Sequence, residues 1–266
     1  MNSKLWKQVN YHADIDYSSG YIVEYDMRKA NISALLSRGI INMDTYTYLF
    51  NADKKYREVY IGNMIKQDKN IYKEIQAGII DAKKQFMEIN DIKDEEILEI
   101  RNDAIYLLTD RPIQQQISEY YFFAKKSVFT FYFRFYFNKD FFYRFDGNSG
   151  KDIIEVKGIS DEKLIPHQEY FLKFIADTVY GIERSNIEDV LNRCNEFYNA
   201  YVNKQLDIGF YREFNTESCY RISMKDKSFL LEAAVESNKP YIDINYNLRI
   251  LRDLMKIVDS IYFSRR

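Results

Sequence analysis

Hydrophobic and polar positions change period several times along this chain. "GYIVEYDM" (20–27) is a short β-rich run, apolar on both faces until Glu24 and Asp26, the pattern of an interior strand. "RKANISALLSRG" (28–39) follows at once with a helical period: Ile32, Leu35 and Leu36 share one side, and Gly39 is placed to cap the C-terminus. Residues 45–90 read as helix, with Ile71, Ile75, Ile79, Ala82 and Phe86 at three- and four-residue steps and Asp68 as a candidate N-cap. "EEILEIRNDAIYLLTD" (95–110) then predicts a hairpin with arms at 97–100 and 104–108 and Arg101-Asn102-Asp103 at its turn.

"SVFTFYFRFYFNKDFFYRFDGNSGKDIIEVKGIS" (127–160) is rich in strand formers, and turns at 138–140 and 146–150 predict a meander of about three strands. From 161 onward the pattern is helical, in "LIPHQEYFLKFIADTVYGIE", "NIEDVLNRCNEFYNAYVNKQ", "SFLLEAAVES" and "NLRILRDLMKIVDSIYF", with breaks at Pro166 and "NKP" (238–240). Phe171, Phe174, Ile175 and Val179 fall on one predicted face. The order strand, helix, helices, hairpin, meander, helical tail is an α+β pattern. It divides into an α+β domain at 1–160, with a helical insertion at about 45–90, and a helical region at 161–266.

Composition adds limits. The 24 Tyr and 19 Phe among 266 residues predict large buried aromatic surfaces. A formal net charge of −2 means that any nucleic-acid contact has to come from local basic clusters. Two cysteines and two histidines are too few for a disulfide framework or a zinc site. No stretch reaches the roughly 18 apolar residues of a membrane span, and the N-terminus lacks the apolar core of a signal peptide. A reducing, cytoplasmic setting is the expectation. The abundance of Lys, Asn, Ile and Tyr suggests an AT-rich genome, that of a low-GC bacterium or its virus.

Two carboxylates stand out by context. Asp26 ends a buried-type strand just before a helix, where an aspartate is commonly a helix cap. Asp103 sits in a hairpin turn, where an aspartate is commonly a turn former. If their strands are neighbours, the two converge. Paired Asp oxygens suit Mg²⁺ (or Mn²⁺), a hard cation that keeps waters and takes phosphate oxygens. Lys54, Lys55, Arg57 and Lys66 form a basic run that either meets an incoming triphosphate or is a solvated helix face. The aromatic run 120–145 reads as core and sheet face, with rings available for stacking on bases.

"IVEYDMRKANISALL" resembles the first catalytic motif of palm-type polymerases, a strand ending in Asp followed by a helix. "ILEIRNDAIYLL" resembles their later strand–turn–strand motif with its acidic residue at the turn, and families A and B of template-dependent DNA polymerases are the comparison. "DIIEVKGISD" is similar to the strand after that hairpin in family B, where a lysine lies near primer and template; Lys157 matches it. The resemblance covers 20–175. It implies a palm-like antiparallel sheet with helices on one face at 1–160 and a thumb-like helical region at 161–266.

It further implies a compact, phage-type nucleotidyltransferase of DNA replication. Asp26 and Asp103 would be catalytic and hold Mg²⁺. Lys54, Lys55, Arg57 and Lys66 would bind a nucleoside triphosphate, and Lys157 the primer–template. A protein partner would supply the absent fingers or exonuclease functions, in the host cytoplasm and away from membranes. The alternative is a non-catalytic palm-like protein that binds nucleic acid or a replication or virion partner. A third expectation is an unrelated interaction protein whose aromatic sheet is the partner surface.

Overall fold

Side-chain alternation along one long strand sorts the first half of the molecule into two faces. The structure, a computed structural model, describes residues 4–135, 139–157, 169–206 and 244–265. Its strands are β1 (Asn10–His12), β2 (Tyr17–Met27), β3 (Ile97–Arg101), β4 (Ala104–Leu107), β5 (Phe123–Phe135), β6 (Lys139–Asp146) and β7 (Lys151–Lys157). They are hydrogen-bonded as one sheet in the order β1-β3-β4-β2-β5-β6-β7, and each described ladder is antiparallel. The fold is α+β. The chain groups into two units, Met1–Asp14 with Gly20–Phe129 and Ile15–Ser19 with Thr130–Arg266, and β2 and β5 each run from one into the other.

In the first unit, Val23, Tyr25 and Met27 of β2 join Ile100, Ile105 and Leu107 of the hairpin in one buried core. Helices α1 (Ala30–Ser37), α2 (Met43–Asn51), α3 (Lys54–Gln67) and α4 (Asn70–Ile89) contribute Leu35, Leu49, Ile61, Ile79 and Phe86 to it. The helices thus cover one sheet face. The predicted strand at 20–27 is longer than its apolar run, because β2 continues back to Tyr17 through polar residues. Gly39 takes the left-handed conformation (φ 68°) that ends α1. The N-cap position of α4 falls on Lys69, one residue after the expected Asp68, whose Oδ1 still accepts from the Asn70 amide at 2.8 Å.

In the second unit, Phe131, Phe133, Phe141 and Tyr143 of the meander pack with Ile175, Val179, Val190, Leu251 and Leu254. These come from α5 (Glu169–Arg184), α6 (Ile187–Val202) and α7 (Ile244–Ser264). Phe174 is half-buried and stacks on Phe197, with centroids 3.6 Å apart. The side chain of Phe171, Pro166, the 228–237 helix and the 238–240 break lie outside the described residues. The meander and these helices share one aromatic core, and both fall in the unit that takes in Thr130–Arg266.

The turn at 146–150 is present, with Gly150 at φ 65°. The turn expected at 138–140 is not where the sequence placed it: Lys139 and Asp140 already belong to β6, paired with Phe135 and Arg134. Asp140 is fully buried there because the Tyr132 hydroxyl donates to its Oδ1 at 2.7 Å and Arg134 Nε lies 3.3 Å away. A compensated charge tolerates a strand position that turn chemistry alone would not assign to it.

Helices α1 and α4 touch backbone to backbone at Gly78. A methyl group built there would come within 2.6 Å of Ala34 Cβ and 2.9 Å of its Cα. Gly78→Ala gains about 1 kcal/mol of helix propensity but forces the helices apart. The expected outcome is a net loss of about 1–3 kcal/mol in urea denaturation, as for overpacked cores. A variant more stable than wild type would show that the helices part at no cost.

Candidate functional site

The face of β2 opposite the helices carries Glu24 and Asp26, the residues that alternate with Val23, Tyr25 and Met27. Register fixes their neighbours. Glu24 stands opposite Tyr106, which stands opposite Glu99, which stands opposite His12. One row further along, Asp26 faces Ala104, Ala104 faces Arg101, and Arg101 faces Asn10. Two polar rows therefore cross the sheet on the side away from the helical core. Glu99 is buried beside His12 Nδ1, 3.3 Å away, and in contact with Arg101 Nε.

Asp103 is one step beyond Ala104, in the two-residue turn between β3 and β4. Asn102 takes the left-handed conformation (φ 51°), which Asn tolerates better than most residues. Asn102 therefore does the turning. Asp103 is tied to the end of β2, since its carbonyl accepts from the Met27 amide at 3.2 Å. The two candidate carboxylates are brought to adjoining strand ends. Burial first, and the charge of Asp26 second, push the Asp103 carboxyl above its ordinary range, against the opposing pull of Lys126 and Lys83.

Three further residues complete this corner. Glu24 is 1% exposed; its Oε1 lies 3.3 Å from the Lys126 ammonium, and its Oε2 is buried without a hydrogen-bond partner. Lys126, on β5, is also 3.6 Å from Asp26 Oδ2. Lys83, on α4, is 1% exposed and donates to the Gln8 carbonyl at 2.5 Å. Burial holds its ammonium down to about 8, with the charge of Asp103 pulling the other way.

Sequence reasoning passed over all three, although each left a signal. Glu24 is two residues before Asp26 and so shares its face. Lys83 falls on the Ile75–Ile79–Phe86 stripe, where a lysine is out of place. Lys126 interrupts a long aromatic and apolar run.

The basic candidates are dispersed. Lys54, Lys55 and Lys66 are exposed on α3, and Lys54 is 3.8 Å from Glu58 one turn on. Arg57, on the same helix, donates to the Ala52 carbonyl and lies close enough to Lys29 to depress its ammonium. Lys157 belongs to the second unit, at the end of β7, where it pairs with Glu155 Oε1 at 2.6 Å.

The sheet, the helical layer and the acidic strand ends define an α+β protein, and one comparison gives its family. The chain belongs to the family described as the Bacteriophage PBS1 gene 130 protein, whose model matches residues 1–260. No curated protein matches the chain. Among the described residues no helix is long and apolar enough to cross a membrane.

Lys83 gives a sign-definite pH test. Its folded pKa of about 8 lies below its ordinary value of 10.5, so its buried charge opposes folding below pH 8 and the penalty fades as pH rises toward 10.5. At most the effect is about 3 kcal/mol, at 1.36 kcal/mol per pKa unit. Lys83→Met removes it. In urea titrations between pH 7 and pH 10, the stability difference is expected to move toward wild type as pH rises. A difference independent of pH would show that the Lys83 ammonium is not desolvated.

Proposed function

We propose that this protein is a compact, metal-dependent nucleotidyltransferase of the palm type, acting on a nucleic-acid 3′-hydroxyl in phage DNA replication. One observation carries the reading: two carboxylates from separate sequence motifs, Asp26 and Asp103, end on adjoining strands, with an unpartnered, buried Glu24 oxygen two residues behind. An all-oxygen donor set with a lone pair left over fits a hard cation such as Mg²⁺ or Mn²⁺. Asp26 and Asp103 would hold it, with Glu24 beneath. Bound there, the ion would supply the charge neutralisation that phosphoryl transfer requires.

The chain's own groups have separate tasks. The β2–β4 pairing fixes the spacing of the acids before any ligand arrives, so little ordering is left for the binding step. Lys126 holds the acids together while the ion is away, then turns to an incoming phosphate. Arg57 meets the phosphates of a nucleoside triphosphate, and Lys54, Lys55 and Lys66 extend that positive surface along α3. Lys157 holds a strand backbone.

A second reading draws on Lys126 itself. An ammonium at 3.3 Å from Glu24 and 3.6 Å from Asp26 already offsets the negative charge, as a permanent internal substitute for a metal would. The protein would then be a non-catalytic palm-like relative that binds nucleic acid or a replication or virion partner.

Melting temperatures with and without Mn²⁺ separate these readings, for wild type, Asp26→Asn, Asp103→Asn and Lys126→Met. Under the first, Mn²⁺ at a hundred times its Kd stabilises the wild type by about 2.7 kcal/mol, and the two Asn variants lose the effect. Without metal, Asp103→Asn is as stable as wild type or more so, because it keeps the turn and removes a repelled charge. Primer extension with labelled nucleotides disappears in both Asn variants. Under the second reading the wild type ignores Mn²⁺ and extends no primer, and Lys126→Met acquires the metal response. Equal responses from all four proteins would make Asp103 a turn residue only.

A further inference from the structure

Two residues beyond Asp26 the charge changes sign. Arg28 and Lys29 project beside α2, where the Arg28 guanidinium lies 4.7 Å from the centre of the Phe50 ring and the Lys29 ammonium 5.3 Å from it. Arg57, anchored on the Ala52 carbonyl, joins them from the start of α3. Among the described residues none of the three is ion-paired with a carboxylate. Two cations therefore share one aromatic ring, with Arg57 close to Lys29. The Lys29 ammonium is pushed below its ordinary range, by burial first and then by Arg57 and Arg28.

Of these residues Arg28 and Phe50 line a cavity of about 340 Å³, together with Tyr46, Gln116, Tyr120 and Phe122, while Lys29 and Arg57 stand behind that wall near Arg28. Ligand pockets begin at roughly 300 Å³, which suits one nucleotide and little more. The Tyr46 and Phe50 rings both line the cavity, tilted to one another with centroids 5.6 Å apart. The Gln116 amide nitrogen already donates to the Ser118 and Tyr121 carbonyls, which leaves its side-chain oxygen as the acceptor for the edge of a base. Glu119 also lines the cavity but is engaged by its neighbour, since its side chain holds the Tyr120 hydroxyl. The backbone adds a sign of its own. Lys29 takes a left-handed conformation (φ 54°) at the start of α1, where glycine would be relaxed and lysine is not. The charge is kept at a conformational cost.

We infer that this pocket binds a nucleotide unit, free or within a single strand, with the base among Tyr46, Phe50 and Tyr120 and its phosphate on Arg28, Lys29 and Arg57. The inference deepens the reading above and rests on it for choosing a nucleotide over other aromatic phosphates. The residues differ from the acidic pair, and the binding needs no metal.

The test is fluorescence anisotropy of a labelled ten-residue oligothymidylate in EDTA, with thymidine monophosphate as competitor, for wild type, Lys29→Gly and Phe50→Leu. Wild type is expected to bind in EDTA. Each variant should weaken binding about tenfold, within the range for one stacked base, and Lys29→Gly should lower the salt slope by about one. Lys29→Gly relaxes the backbone, so a melting temperature at or above that of wild type confirms that only binding was touched. Competition by the monophosphate assigns the site to a free nucleotide; strand binding that the monophosphate leaves unchanged assigns it to a strand. Both outcomes uphold the inference. Absence of binding by either probe in EDTA, or variants that bind as wild type does, overturns it. Binding that appears only with Mn²⁺ also overturns it, while leaving the acidic-pair reading in place; binding in EDTA by a protein that ignores Mn²⁺ has the reverse meaning.

Discussion

The pairing of β2 against β4 is the constraint from which the rest follows. Because strand side chains alternate, one register sends Val23, Tyr25, Ile105 and Leu107 into the helical core and leaves Glu24, Asp26 and Ala104 on the other side. The core supplies the driving force and the acids are carried along with it. Like charges held this close repel, so burying their apolar neighbours has to outweigh that repulsion. Lys126, 3.3 Å from Glu24 and 3.6 Å from Asp26, reduces it.

Charge is sorted finely over this short stretch of chain. Glu24 and Asp26 precede Arg28 and Lys29, and the sign reverses where strand gives way to helix. The acids face a lysine from β5, whereas the cations face an aromatic ring and open space. An acidic corner beside a basic aromatic pocket is a combination suited to a ligand that carries phosphate and a ring together. Each half is incomplete in its own way: one carboxylate oxygen lacks a donor, and among the described residues three cations lack a carboxylate partner.

Much of the framework was legible because periodicity records which side of an element is buried. The strand at 20–27, the hairpin and the apolar stripe of α4 all carry that record, and each appears in the structure. Asp140 was misread because a buried aspartate held by Tyr132 and Arg134 is indistinguishable, in sequence, from a turn aspartate. The adjacency of Asp26 and Asp103 could be suspected from strand ends alone; Lys83 and Lys126 stood out as lysines in apolar surroundings, but the sequence did not say what they meet. Their partners come from distant segments, and long-range pairing leaves no periodic trace. The pocket beside Phe50 was invisible for the same reason, since its walls come from α1, α2 and the segment before β5.

The turn between β3 and β4 has room for two residues, and both are committed: Asn102 bends the chain and Asp103 presents its carboxylate at the end of β2. A slip of one residue in the pairing would turn β4 over, placing Tyr106 toward the helices and Ile105 toward the acids. The length of this turn, as much as its residues, therefore sets which side chains of β4 meet the acids.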